Sequence, residues 1–216
     1  MIESVVFDVG ETLVNETREY GTWADWLGVP RHTFSAIFAL SSSRAGIIAR
    51  LSNTSVLASI WIPSASSALK QADQNSSQRL YPDARPGMAA LREMGVWVGV
   101  AGNQTARGED SARTRSSCRS DRNVGRLGRG EAGCRIFQAI ISAAPCLAER
   151  ILYVGDRLDN DLKPARAAGM RTAFIRRGPW GYIWENHPHM PSAADFRVAS
   201  LIELPALVTA ANRSGN

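Results

Sequence analysis

Cysteine and histidine are both scarce in this 216-residue chain, with three of each. Cys118, Cys134 and Cys146 are odd in number and lack the paired spacing of a zinc site. Neither a disulfide framework nor a cysteine-built metal centre is expected, and a reduced compartment follows. His187 and His189 form a His-x-His pair, but with Pro188 and Pro191 beside them and no further ligand they read as surface. No apolar run reaches the roughly 20 residues that a membrane helix needs. Strand-like sequence begins at Ile2, which leaves no room for a signal peptide, so the expected location is the cytoplasm.

What the chain does have is an ordinary globular composition, 44% hydrophobic, at a length that suits one domain with an insertion or two small domains. The net charge of +5 invites a nucleic-acid reading. Its distribution argues otherwise. Arg107, Arg113, Arg115, Arg119, Arg122, Arg126, Arg129 and Arg135 fall in one segment with Glu109, Asp110, Asp121 and Glu131, so eight minus four supplies +4 of the total. That segment has no aromatic residue on which a base could stack. A nucleic-acid partner is not expected. Were the segment to bind one, it would act through phosphate contacts and be strongly salt-sensitive.

The chain is organised around its first stretch. Val5-Val6-Phe7 is an apolar run that ends in Asp8 and Gly10, the pattern of a buried parallel strand entering a loop. In open α/β sheets ligands sit beyond the carboxyl ends of strands, where Asp8 would stand. Alone, Asp8 could equally cap the next helix. A second strand, Ile151 to Val154, ends in Gly155-Asp156 and continues to Asp159 and Asp161. Two strand-end carboxylates on one side of a parallel sheet need a cation, and hard oxygen ligands suit Mg²⁺.

At these residues the chain resembles the haloacid dehalogenase (HAD) superfamily. Asp8-Val9-Gly10-Glu11-Thr12 is similar to the family's first motif, DxDGT, and Gly155 to Asp161 to its last, GDxxxxD. The stretch Pro164 to Met170 is also typical. The resemblance implies an α/β fold: a doubly wound, Rossmann-like parallel core from 1–14 and 81–216, with a helical cap inserted over 15–80. It implies a phosphoryl-transfer hydrolase acting on a small phosphorylated metabolite. Asp8 would be the nucleophile, forming an aspartyl-phosphate that water hydrolyses. Mg²⁺ would be held by Asp8, the backbone carbonyl of Gly10, Asp156 and, further out, Asp161. For Asp159 and Asp161 a solvated helix N-terminus, which also favours acids, stays open.

Three positions depart from the family pattern. Gly10 replaces the second Asp of the first motif, the usual general acid for the leaving group; such a loss costs about 10²–10⁴ in rate. Gly102, followed by Asn103, replaces the hydroxyl of the second motif, so phosphate binding there falls to Gly102 and Asn103. Glu131 stands at the place of the third motif's lysine, where an acid repels phosphate. The chain as written is expected to be weak or inactive, and the alternative is a non-catalytic HAD-like binding protein.

Along the rest of the chain the pattern predicts helices over 16–27, from Pro30 through Phe38, from Pro86 to Gly95, over 136–144 and from Pro164 to Gly169. Strands are expected over 96–101, 172–175 and 196–199, a loop over 178–191, and a capping box at Ser200 to Glu203. Trp23, Trp26 and Leu27 read as a packing face. Two segments, about 41–79 and 107–135, show no sustained buried face and read as shifted frames. Glu131 is encoded GAR and Ala132 begins with G; one base later the codon is ARG, which encodes only Lys or Arg. The neighbouring codons then permit Glu-Lys-Pro-Asp-Ala, the family's lysine motif, and the opposite shift over 46–60 permits a better cap helix. The coding DNA decides between this and a true low-complexity insertion pair.

Overall fold

The computed structural model of the chain describes residues 1–43, 80–101 and 129–214. In chain order the elements are β1 (Ser4–Phe7), α1 (Thr17–Leu27), α2 (Arg31–Ser43), α3 (Ala84–Glu93), β2 (Trp97–Val100), α4 (Arg129–Ala143), β3 (Ile151–Gly155), α5 (Lys163–Ala167), β4 (Arg171–Ile175), α6 (Gly178–Trp184), α7 (Met190–Ala193), β5 (Phe196–Val198) and α8 (Leu204–Arg213). The five strands form one sheet in the order β2-β1-β3-β4-β5, with every pairing parallel. Val6 of β1 lies between Gly99 of β2 and Tyr153 of β3. The strand order therefore reverses at β1, which places the crevice of a doubly wound sheet at the carboxyl ends of β1 and β3.

Both faces of the sheet are covered, which is why its central strands read as unbroken apolar runs. On one face Val5, Phe7, Leu152 and Val154 pack with Leu91 of α3 and Leu204 and Val208 of α8. On the other, Val6 and Tyr153 pack with Phe137 and Ile140 of α4 and Ala165 of α5. Phe137 meets Tyr153 edge-on with ring centroids 5.1 Å apart. Such a pair adds about 0.5–1.5 kcal/mol beyond its buried area and fixes α4 against β3. A third cluster, Leu158, Leu162, Phe174, Trp180, Trp184 and Met190, closes the β4 side.

The expected helix stops are present. Gly28, Gly95 and Gly169 take left-handed backbone (φ 65°, 78° and 86°) just beyond their helices. Ser200 and Glu203 form both bonds of a capping box, leading through a short 3-10 turn into α8. Three expectations need correction. The segment 178–191 is not a loop. It holds α6 and the start of α7, because Pro179 and Pro191 stand at first-turn positions that have no N–H to lose, and Trp180 and Trp184, one turn apart, are buried. α4 begins at Arg129 rather than Ile136, so Glu131 lies in its first turn instead of ahead of it. The buried face of α1 is Gly21 and Ala24, while Trp23, Trp26 and Leu27 are only half-buried. Gly102, Asn103 and most of the two irregular segments lie outside the described residues.

Candidate metal and phosphoryl site

Asp8 leaves β1 beside β3, with its backbone N–H donated to the Val154 carbonyl at 2.9 Å. Asp156 follows β3 directly, so parallel pairing of Phe7 with Val154 sets the two acids side by side. Asp161 joins them from a wide helical turn, Leu158–Leu162, that folds back under the end of β3. Its Oδ2 accepts the backbone N–H of Arg157 at 2.9 Å. The side chain lies so close to Gly155 that a Cβ there would stand 2.5 Å from Oδ2 and 2.6 Å from the Asp161 Cβ. Glycine at 155 is thus a close-approach requirement. Asp159, by contrast, is exposed and pairs with Arg157.

Asp8, Asp156 and Asp161 each offer an oxygen within 4.8 Å of the other two. Three carboxylate oxygens this close together could be turned onto one hard cation by side-chain rotation. Burial is deep: 9% exposure for Asp8 and 1% for each of the other two. Oδ2 of Asp156 is buried with no hydrogen-bond partner among the described residues. Burial, and then the charge of Asp161, pushes Asp8 and Asp156 well above the usual carboxylate range. Burial pushes Asp161 up to about 7. Three buried acids, one with an orphaned oxygen, fit a hard divalent cation.

The structure brings Asp8, Asp156 and Asp161 together, and sets Gly10 two residues beyond Asp8 in a tight turn bridged to Val14. Gly102 and Asn103 fall outside the described residues, and the side chain of Glu131 is not described. His187 is partly exposed and His189 exposed, and neither is among the acids of this cluster.

A family model described as HAD-hydrolase-like matches residues 129–204, a stretch that contains β3, Asp156 and Asp161. Over that stretch the chain is similar to HAD-like hydrolases. It is 32% identical over 82 residues to the glyceraldehyde 3-phosphate phosphatase of Methanocaldococcus jannaschii, covering 38% of this chain and 34% of that one. The chain spans less than half the length of the curated relatives it matches. Its HAD-like fold superposes on a predicted phosphoglycolate phosphatase from Haemophilus somnus (TM-score 0.65, 16% identity, 96% of this chain and 98% of that one). It also superposes on the YfnB protein of Bacillus subtilis, solved bound to magnesium (TM-score 0.60, 13% identity, 96% and 98%). No helix among the described residues is long and apolar enough to cross a membrane.

Sequence reasoning missed a second polar group behind the site. Glu11 is buried and takes a positive φ of 52°. Its carboxylate accepts the Tyr81 hydroxyl at 2.5 Å and the Glu16 N–H at 3.1 Å. Arg177, 8% exposed, donates to the Thr12 carbonyl at 2.9 Å, pairs with Asp83 and stacks over the Tyr81 ring at 4.4 Å. The loop that carries Asp8 is therefore held from below by side chains from distant parts of the chain. Asp83, set between a Pro and a helix in the sequence, carried the only local signal.

Proposed function

We propose that this chain is a Mg²⁺-dependent phosphohydrolase of small phosphate esters, working through an aspartyl-phosphate on Asp8. The observation that carries the reading is the buried triad of Asp8, Asp156 and Asp161, whose burial outweighs the one nearby cation among the described residues, Arg157, and which leaves an Asp156 oxygen orphaned. The two outer acids and Asp8, with the Gly10 carbonyl, would hold Mg²⁺. The ion would supply charge neutralisation at the phosphoryl oxygens. Asp8, its backbone held by the N–H bond to Val154, would supply the carboxylate oxygen that attacks phosphorus. The helices α1 and α2, which follow β1, would be the described part of a cap that excludes water. The names of the curated relatives support a small phosphorylated substrate. Hydrolysis of phosphate monoesters in Mg²⁺, and its loss in EDTA, tests the reading. A non-catalytic reading is favoured by Gly10 and by Glu131 at the lysine position. It calls for Mg²⁺ binding without turnover, which the same assay separates.

Two further outcomes follow from the triad. Its acids have raised pKa values in the fold, so the folded protein binds more protons than the unfolded chain above pH 3.8. The contribution of Asp161 is complete below that value and is lost as pH rises through about 7, and Asp8 and Asp156 shift in the same direction. The metal-free protein is therefore expected to lose thermal stability between about pH 4 and pH 7. Mg²⁺ at about 100 times its Kd adds about 2.7 kcal/mol at neutral pH. For a chain of this size that is roughly a 5–10 °C rise in Tm, and little at pH 4.5. Equal stabilisation by Mg²⁺ at both pH values, read by calorimetry, contradicts this. In Gly155→Ala the new Cβ displaces the Asp161 carboxylate. Mg²⁺ affinity by titration calorimetry is expected to fall about 10- to 100-fold; unchanged affinity removes Asp161 from the site.

A further inference from the structure

The missing acid at Gly10 leaves a space that is not empty. A Cβ built on Gly10 would stand 2.7 Å from Oε1, 3.2 Å from Cδ and 3.5 Å from Oε2 of Glu16. The carboxylate of Glu16 thus lies where the first atoms of a side chain at position 10 would be. It arrives from the other side of the turn, from the residue that precedes the first turn of α1. Two bonds hold it in place. Its backbone N–H is donated to Glu11 Oε1 at 3.1 Å, and its Oε2 accepts the Tyr20 hydroxyl at 3.2 Å. The residue is half-buried. It is close enough to Asp8 that its charge adds to the upward pressure on that carboxyl, after burial and Asp161.

We propose that Glu16 is the proton-transfer residue of this site, filling from α1 the place left by glycine at position 10. The assignment rests on the phosphohydrolase reading above. In the first half-reaction an Asp8 oxygen bonds to phosphorus and the ester P–O bond breaks. The departing alkoxide takes the proton of the Glu16 carboxyl group. In the second, the Glu16 carboxylate removes a proton from water as the water oxygen bonds to phosphorus. The P–O bond to Asp8 breaks, which releases phosphate and returns both carboxyl groups to their starting states. Gly10 and Glu16 then form a matched pair: a larger residue at 10 would push the Glu16 carboxylate aside, and glycine at 10 lets it in.

The test compares an alkyl phosphate ester, whose leaving group needs a proton, with p-nitrophenyl phosphate, whose leaving group does not. Both are run on the full chain with Mg²⁺. Wild type, Glu16→Gln, Gly10→Asp and the double variant Gly10→Asp/Glu16→Ala are assayed, and the phosphoryl adduct on Asp8 is followed by intact mass. Glutamine keeps the shape and an acceptor for Tyr20. Glu16→Gln is expected to lose about 10²–10⁴-fold with the alkyl ester and far less in adduct formation from the aryl ester. The adduct then accumulates, because water is no longer deprotonated. Gly10→Asp alone falls, and the double variant recovers the alkyl ester. Equal losses on both esters without adduct accumulation, or alkyl turnover unchanged in Glu16→Gln, overturn the assignment while the phosphohydrolase reading stands. A wild-type chain with neither turnover nor adduct overturns both.

Discussion

An Asp8→Asn protein is expected to retain its fold, lose its hydrolytic activity and melt at a higher temperature than wild type when metal-free. The three effects share one cause. Asparagine matches aspartate in shape, and the backbone N–H of residue 8 still reaches Val154, so the β1–β3 junction keeps its geometry. The amide is not a nucleophile toward phosphorus. Loss of a covalent nucleophile has been worth on the order of 10⁶ in turnover in another hydrolase. The substitution also removes one of three buried negative charges, which burial and mutual repulsion have made unfavourable in the fold. A residue that served only to cap a helix or brace a loop would behave differently: its replacement would lower Tm and leave any activity in proportion to folded protein. Paired measurements of phosphate release and of Tm in EDTA separate these cases. Activity within about tenfold of wild type, or a fall in metal-free Tm, removes Asp8 from the role proposed for it.

Much of the fold is legible in the sequence because local and tertiary demands agree there. Val5 to Phe7 and Ile151 to Val154 are apolar without alternation, and strands buried on both faces require that. Gly28, Gly95 and Gly169 end helices by a backbone conformation that glycine adopts without strain. The legibility fails where long-range packing decides. In 178–191 the prolines and glycines suggest a loop. Burial of Trp180 and Trp184 against Leu158, Leu162 and Phe174 makes short helices of it. In α1 the tryptophans at helical spacing suggest the inner face, yet the small Gly21 and Ala24 occupy it, Gly21 with the Arg31 guanidinium close by. Within the site, the reading of Asp8 and Asp156 came from strand ends, which the sequence marks, and that of Asp161 from the resemblance of Gly155 to Asp161 to a family motif. Glu16 and Arg177 carry no such mark. The first matters through the space beside Gly10, and the second through a partner, Asp83, that lies 94 residues away in the chain.

That partner pair sets the other large expected effect. Asp83 is half-buried, and that burial alone would raise its pKa. Bonds from the Ser200 hydroxyl at 2.5 Å, the Leu201 N–H at 3.0 Å and the Arg177 guanidinium outweigh this and hold it below the usual carboxylate range. Its pH dependence thus runs opposite to that of the triad. Asp83 contributes stability that is present above pH 3.8 and lost as pH falls through its lower folded value. The same chain pairs Asp83 with a guanidinium at hydrogen-bond distance, while burial outweighs the nearby Arg157 charge at the three triad acids. The first arrangement is what structure alone requires, and the second is what a bound cation would complete. Arg177→Met takes away the guanidinium, leaving Asp83 half-buried without its counter-charge and the Thr12 carbonyl without its donor. Breaking such a pair costs about 3–5 kcal/mol, a large part of the total stability of about 5–15 kcal/mol. Tm is expected to fall by roughly 6–20 °C. Any folded fraction should bind Mg²⁺ less tightly, because Thr12 and Glu11 belong to the loop that carries Asp8. Arg177→Met/Asp83→Leu removes both charges, and replacing a buried pair by apolar residues is often near neutral. The double variant should therefore regain much of the lost Tm without regaining the loop contact at Thr12. Urea denaturation of the three proteins, with Mg²⁺ titration of each, checks both parts. A single variant within about 1 kcal/mol of wild type, or a double variant no better than the single, shows that the Arg177–Asp83 pair does not hold the site in place.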